Sequence, residues 1–227
     1  MPLALRFPPD QRFETYVGGS RAALAQLHAL AIMTQAGDAY LTGPVGVGKT
    51  HLALATCAHA EAAGRRATYL PLQAASGRLR DALDALDGGD LVALDGLDAI
   101  AGNRDDEVAL FDFHNRARAA GISLLYAGRV APVDLPLALP DLRSRLSQCI
   151  RIVLPTLDEE GRREVLRERA RRRGLVFDDA ALEWLLRRAG RDLAGLTRLL
   201  DRLDHASLAA QRRLTVPFLR ETLGDLP

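Results

Sequence analysis

The chain contains a single lysine, and that lysine closes a phosphate-binding loop. Residues Gly43-Pro44-Val45-Gly46-Val47-Gly48-Lys49-Thr50 fit the pattern G-x-x-x-x-G-K-[ST] at every fixed position. The pattern dictates more than a ligand. Its glycines let the backbone curl so that successive N–H groups converge on an anion. The loop must be fed by a buried strand and must open a helix whose positive end faces the same anion. Ala39-Tyr40-Leu41-Thr42 supplies the strand and His51-Leu52-Ala53-Leu54-Ala55 continues the helix. The candidate phosphate contacts are therefore Pro44, Gly46, Val47, Gly48, Lys49, Thr50 and His51. Lys49 brings a compact ammonium to the terminal phosphates, and the Thr50 hydroxyl is a ligand for Mg²⁺.

The rest of the first 155 residues alternates apolar runs with helical patterns. Further strands are expected at 67–70, 91–95, 122–127 and 150–154, with helices after the loop, over 77–86 and over 105–120. Continuous apolar strands separated by helices predict an α/β fold, a five-stranded parallel sheet covered on both faces. Composition changes at Pro155, beyond which only helices are expected: 158–173, 178–189, 192–211 and 216–223. Trp184 falls among inward leucines of this small all-α unit. The expected organisation is a tail over 1–8, a nucleotide-binding α/β domain over 9–155 and a helical lid over 156–227.

Two further features carry chemistry. The run Leu91-Val92-Ala93-Leu94-Asp95 ends in a carboxylate. A strand-end acid can be an ordinary turn or cap residue, but after a complete phosphate loop it is placed to hold Mg²⁺ with Thr50. The next position, where many ATPases carry a second acid, is Gly96. Asp98 lies two residues on, where a turn is expected to aim it elsewhere. These residues predict nucleotide binding with weak turnover. The second feature is Leu139-Pro140-Asp141-Leu142-Arg143-Ser144-Arg145-Leu146, just before the last strand. Arginines two apart cannot share one helical face, so one is expected to pack or pair and the other to be free. A free arginine at a domain edge can stabilise charge on a neighbour's γ-phosphate.

Composition excludes several classes. A net charge of +1 provides no overall field for nucleic acid. Along 162–173 the arginines alternate with Glu164 and Glu168 after Glu159 and Glu160, a pattern of intrahelical pairs on a solvated face, so direct DNA contact is expected to be weak at most. Two distant cysteines suit a reducing compartment and offer no zinc spacing, and the five histidines show no ligand spacing. No apolar run approaches the ~20 residues of a membrane span, and the first residues do not make a signal peptide, so a cytoplasmic protein without membrane contact is expected.

The order of phosphate loop, strand-end aspartate, Ser-Arg-Leu and helical lid resembles AAA+ ATPases, and more narrowly the branch comprising the bacterial replication initiator DnaA and its shorter relative Hda. The residues that carry the resemblance are 13–18, Leu94-Asp95-Gly96-Leu97-Asp98-Ala99-Ile100-Ala101-Gly102, 110–116, 139–146 and 206–218. It extends from about Phe7 to Leu223. An initiator carries a helix-turn-helix domain after its lid, whereas this sequence ends at Pro227. The resemblance therefore implies the regulatory member: bound to the DNA sliding clamp, the polymerase III β subunit, it provokes hydrolysis of ATP on DnaA and prevents re-initiation. It further implies bound ADP or ATP with Mg²⁺, a place at the nucleoid through those partners, room for a homo-oligomer, and Arg145, the arginine of Ser-Arg-Leu, as the residue acting on the partner's ATP.

Some positions depart from the pattern. The lid arginine that senses nucleotide falls at Ala194, with Arg191 and Arg198 about one helical turn to either side. The clamp-binding peptide begins with glutamine; here Leu3 and Leu5 alternate ahead of Phe7 without it, and a strand or tail packed on the domain is the other use of these residues. Two rival functions share the loop: a helicase-loader or transposition-helper ATPase, which needs its own hydrolysis, and a small-molecule kinase, which needs an acceptor pocket.

Overall fold

The structure is a computed structural model and describes residues 11–18, 21–33, 37–86, 88–188, 199, 200, 202, 203, 206 and 214–224. Five strands form one parallel sheet: β1 (Asp38–Thr42), β2 (Ala67–Pro71), β3 (Leu91–Asp95), β4 (Ser123–Gly128) and β5 (Ile150–Val153), in the order β2-β3-β4-β1-β5. β1 pairs with β4 from Asp38↔Leu124 to Thr42↔Gly128 and with β5 from Ala39↔Ile150 to Thr42↔Val153. The two-residue period of a strand sends Tyr40, Val92, Leu94, Leu124 and Tyr126 into one core cluster. The alternate residues Ala39, Leu41, Ala93 and Leu125 are also buried, so both faces are covered, as parallel pairing requires.

The helices follow in chain order: α1 (Arg21–Ile32), α2 (Lys49–Ala62), α3 (Leu72–Ala75), α4 (Leu79–Asp84), α5 (Arg104–Ala119), α6 (Pro140–Ser147), α7 (Glu159–Arg172), α8 (Asp179–Arg188) and α9 (Val216–Leu223). α2 packs on β2, β3 and β4 and buries Leu52, Ala53, Ala55 and Cys57. α5 starts where Asn103 caps the amides of Asp105 and Asp106, and its first turn is acidic, which suits the positive end of a helix. The sequence reading assigned no helix to 21–32 or 72–75. In α1 the buried residues Ala23, Leu27, Leu30 and Ala31 do follow a helical period, and Arg65 closes its end by donating to the carbonyls of Leu30 (2.8 Å) and Ala31 (2.7 Å). α3 is a single turn, too short to show a period.

Boundaries shift for identifiable reasons. The strand expected at 122 begins at Ser123 because Gly121, at φ 73°, and Ile122 turn back to close α5: their amides donate to the carbonyls of Arg118 (3.1 Å) and Ala117 (2.9 Å). The helix expected from 77 starts at Leu79 because the buried Asp106 carboxylate accepts the amides of Gly77 (2.7 Å) and Leu79 (3.1 Å).

Packing divides the chain into two units, 1–44 with 48–155 and 45–47 with 156–227. In the second, Asp158 caps α7 through the Gly161 amide, and Leu166, Leu182, Leu185, Leu200, Leu203, Leu214, Phe218 and Leu219 build the core around Trp184. Of the helix expected over 192–211, residues 199, 200, 202, 203 and 206 are helical and the remainder lies outside the described residues. An isolated bridge joins Phe177 to Leu214.

Candidate nucleotide-binding site

β1 delivers the chain to the loop at Thr42, and α2 takes it away from Lys49. Between them Gly46 and Gly48 have φ of 84° and 94°, left-handed values that glycine adopts without strain. Gly48 is fixed twice over, because a Cβ there would lie 2.6 Å from Cε2 of Tyr16. Burial pushes the Tyr16 phenol up to about 12, so it stays neutral against the loop. The Lys49 ammonium donates to the carbonyls of Gly43 (2.6 Å) and Pro44 (2.7 Å). Burial lowers its pKa, Asp95 and Asp98 raise it, and Arg129 lowers it. The His51 ring meets the N-terminal segment, with Nε2 2.8 Å from the Arg12 carbonyl and 3.3 Å from Oγ1 of Thr15, and lies beside Tyr16.

The strand-end acid and the loop hydroxyl meet. Thr50 Oγ1 donates to Oδ2 of Asp95 at 2.6 Å, and the Tyr69 hydroxyl donates to the same oxygen at 2.9 Å. A hydroxyl beside a carboxylate is a hard oxygen donor set that fits Mg²⁺. Among the described residues no three His, Cys, Asp or Glu side chains converge on a point, so a cation at Thr50 and Asp95 would draw its other ligands from phosphate and water. Tyr69 escaped the sequence reading. Its signal is the register of β2 on β3, Tyr69↔Ala93 and Pro71↔Asp95, which only pairing reveals.

Gly96 stands in left-handed backbone, φ 88°, with open space around its Cβ position. Asp98, two residues on, uses its carboxylate on the backbone of another strand end. A 3-10 turn over Leu97–Ala99 places its Oδ2 2.9 Å from the Arg129 amide, which donates to it. Arg129 was also missed. It follows Gly128, where a Cβ would lie 2.3 Å from the Tyr40 hydroxyl oxygen, so the end of β4 is held close to β1 and the exposed arginine emerges near the loop lysine.

The two arginines of α6 separate. Arg143 Nη2 donates to the Leu137 carbonyl at 2.6 Å and its Nε is buried, which ties the side chain to its own domain. The Arg145 guanidinium makes no hydrogen bond or ion pair among the described residues. It lines a cavity of about 280 Å³ with Asp38, Arg118 and Gln148. Cys149 closes that cavity, its thiol pushed up to about 12 by burial, and Cys57 is likewise pushed to about 12, so neither is a ready nucleophile. The register places this cavity at the start of β1 and β5, whereas the phosphate loop leaves the far end of β1.

Leu3, Leu5 and Phe7, and Arg191, Ala194 and Arg198, lie outside the described residues. In α7, Arg163 pairs with Glu159, Glu160 and Glu183, and Glu168 with Arg171 and Arg172. These pairs make a solvated ionic face rather than a free cationic track. No helix of the described residues is long and apolar enough to cross a membrane.

Comparison with known proteins gives two family matches. Residues 158–223 match the family described as "Hda, lid domain", and residues 8–119 match "IstB-like ATP binding protein". Among solved structures, domain III of the replication initiation protein DnaA from Thermotoga maritima superposes with a TM-score of 0.84 at 20% identity, over 97% of this chain and 98% of that one. DnaA from Aquifex aeolicus bound to AMPPCP gives 0.70 at 20% identity, over 86% of this chain and 65% of that one. The RuvB Holliday junction branch migration motor of T. maritima gives 0.68 at 18%, over 96% and 72%. The expected AAA+ fold, a five-stranded parallel α/β domain followed by a helical lid, is the one observed.

Proposed function

We propose that this chain, a DnaA homologue with an AAA+ domain and an Hda-type lid, regulates replication initiation by stimulating hydrolysis of ATP held by the initiator. The observation that carries this reading is the position of Arg145. Its guanidinium has no hydrogen-bond or ion-pair partner among the described residues, and it sits at the end of the sheet opposite the chain's own phosphate loop. β1 separates the two by four residue steps, about 13 Å at the usual rise of ~3.3 Å, before the loops are counted. That position supports a role on a neighbour's nucleotide rather than on the chain's own. Such an arginine supplied in trans is worth about 10³ or more in rate.

The chain's own loop is read as a binding site for ADP or ATP with Mg²⁺ and weak turnover. Lys49 would exchange two carbonyl hydrogen bonds for a phosphate. A unit negative charge at 4 Å contributes about 4 kcal/mol at an effective dielectric of 20, against roughly 1.5–3 for each carbonyl bond, and a di- or triphosphate offers several charges. Thr50 and Asp95 would hold the Mg²⁺, which neutralises phosphate charge when bound. With Gly96 in place of an acid, no side chain there orients an attacking water. Leu3, Leu5 and Phe7 are read as an extended peptide for the groove of the sliding clamp, a mode that uses alternating anchors.

The test measures clamp-dependent hydrolysis of DnaA-bound ATP. Arg145→Ala should abolish stimulation while ADP binding and folding persist, and Arg143→Ala should act through stability instead. Full stimulation by both single variants and the double variant overturns the in-trans mechanism. The match of residues 8–119 to the family described as "IstB-like ATP binding protein" supports a second reading, an ATPase acting on its own nucleotide. High turnover by the isolated protein would select it.

A further inference from the structure

The cavity around Arg145 holds more positive charge than one finger requires. Arg118, in the last turn of α5, lines the same cavity. Its Nε lies 3.7 Å from Oδ2 of Asp38, the first residue of β1. The Asp38 side chain is 12% exposed and that of Arg118 is 53% exposed, so the acid is sunk into the protein and the guanidinium reaches outward. Nothing among the described residues accepts a hydrogen bond from the terminal nitrogens of Arg118 or Arg145. The exposed Gln148 adds an amide to the wall. Behind it, His114 is buried with Nδ1 2.8 Å from the Tyr126 hydroxyl, and burial lowers its pKa, so it brings no charge at neutral pH. Two arginines and one sunken aspartate line the cavity and leave it net cationic.

We propose that Arg118 is a second phosphate-contacting residue, acting beside Arg145 on the triphosphate tail presented by a neighbouring AAA+ domain, with Asp38 as its positioning residue. This rests on the in-trans reading above. Two guanidinium groups offer parallel N–H pairs to adjacent phosphate oxygens, a geometry that one arginine cannot fill alone. In the reaction served, a water oxygen bonds to the γ-phosphorus while the bond from the bridging oxygen to that phosphorus breaks. The electron pair stays on the departing ADP, and the water's proton passes to phosphate or solvent. Negative charge accumulates on the oxygens that Arg118 and Arg145 would contact.

The experiment is single-turnover hydrolysis of ATP bound to DnaA, with clamp loaded on DNA and this protein at saturating concentration. Arg118→Ala should slow the saturated rate about 10- to 100-fold, the value of one charge-assisted hydrogen bond. Arg118→Lys, which keeps the charge but not the fork, should restore only part of it. Asp38→Asn should give an intermediate rate, with ADP binding to the chain's own loop unaltered in all three. A wild-type rate for Arg118→Ala while Arg145→Ala is inactive overturns this proposal and leaves the in-trans reading standing. Wild-type rates for both overturn that reading as well. Should Arg118→Ala not fold, Arg118→Lys decides: a full wild-type rate rejects the two-arginine contact.

Discussion

Glu107 ties α5 to the start of the helix that carries Arg143 and Arg145, and replacing it tests how that edge is built. It is completely buried in the first turn of α5. Its Oε1 accepts the amides of Gly102 (2.7 Å) and Ala138 (3.0 Å), and its Oε2 accepts the amide of Leu139 (2.7 Å). Leu139 is the cap position of α6 and has no side-chain cap of its own, so Glu107 caps the arginine helix from another element. Hydrogen bonds to a charged group contribute roughly 1.5–3 kcal/mol each. Glu107→Gln keeps the shape, turns one acceptor into a donor facing a donor, and weakens the remaining bonds. A loss of about 2–4 kcal/mol is expected, and about 3–5 for Glu107→Ala, which removes the acceptor of three part-buried amides. Against a typical total of roughly 5–15 kcal/mol, Glu107→Gln leaves a folded protein with a loosened edge. The assay is urea unfolding followed by far-ultraviolet dichroism, with hydrogen exchange on the segment 136–147. Faster exchange at Ala138 and Leu139, a lower urea midpoint and reduced stimulation of DnaA-bound ATP hydrolysis are expected, with ADP binding retained. An unfolding free energy within about 0.5 kcal/mol of wild type, the size of an ordinary surface change, together with unchanged exchange would refute the reasoning.

Other outcomes follow from the same structure. Lys49→Ala should abolish binding of ADP with Mg²⁺ by calorimetry, since no other lysine exists to replace it; retained affinity would remove the loop from the site. Gly48→Ala should destabilise the α/β domain by about 1–3 kcal/mol through its left-handed backbone and clash with Tyr16, whereas Gly64→Ala, at a positive φ but in open space, should cost only the backbone part. The two can be ranked by thermal unfolding. Hydrogen bonds from Arg171 and then Arg172 depress Glu168 from its usual 4.5 to about 2. A depressed folded-state pKa gives stability that is full above 4.5 and is lost as pH falls toward 2. NMR titration should find that midpoint in the folded protein, moving up in high salt because the pairs are exposed; a midpoint at 4.5 in low salt would show the pairs are not formed.

The sequence by itself determined the parts of this protein that are local in the chain. Lys49 and its glycines announce a strand, a loop and a helix, because only that geometry brings consecutive amides to one point. The apolar runs at β1, β3 and β4 announce a parallel sheet, because a strand buried on both faces carries no polar alternation. α9 was legible to the residue, with Pro217 in its first turn. What contacts decide was not legible. Asp98 was expected to turn elsewhere, and which group it would meet, the Arg129 amide, depended on the end of a strand some thirty residues away. Tyr69 reaches Asp95 only through the register of two strands more than twenty residues apart. Arg143 and Arg145 are alike in the sequence, and their difference comes from the Leu137 carbonyl that holds one and from the cavity that leaves the other free. Arg118 and Asp38 meet because parallel pairing brings the start of β1 beside the elements that flank β4 and β5. A sequence records what each residue is able to do; which of them share a site is set by strand order and helix packing, which act across distances that periodicity and spacing do not reach.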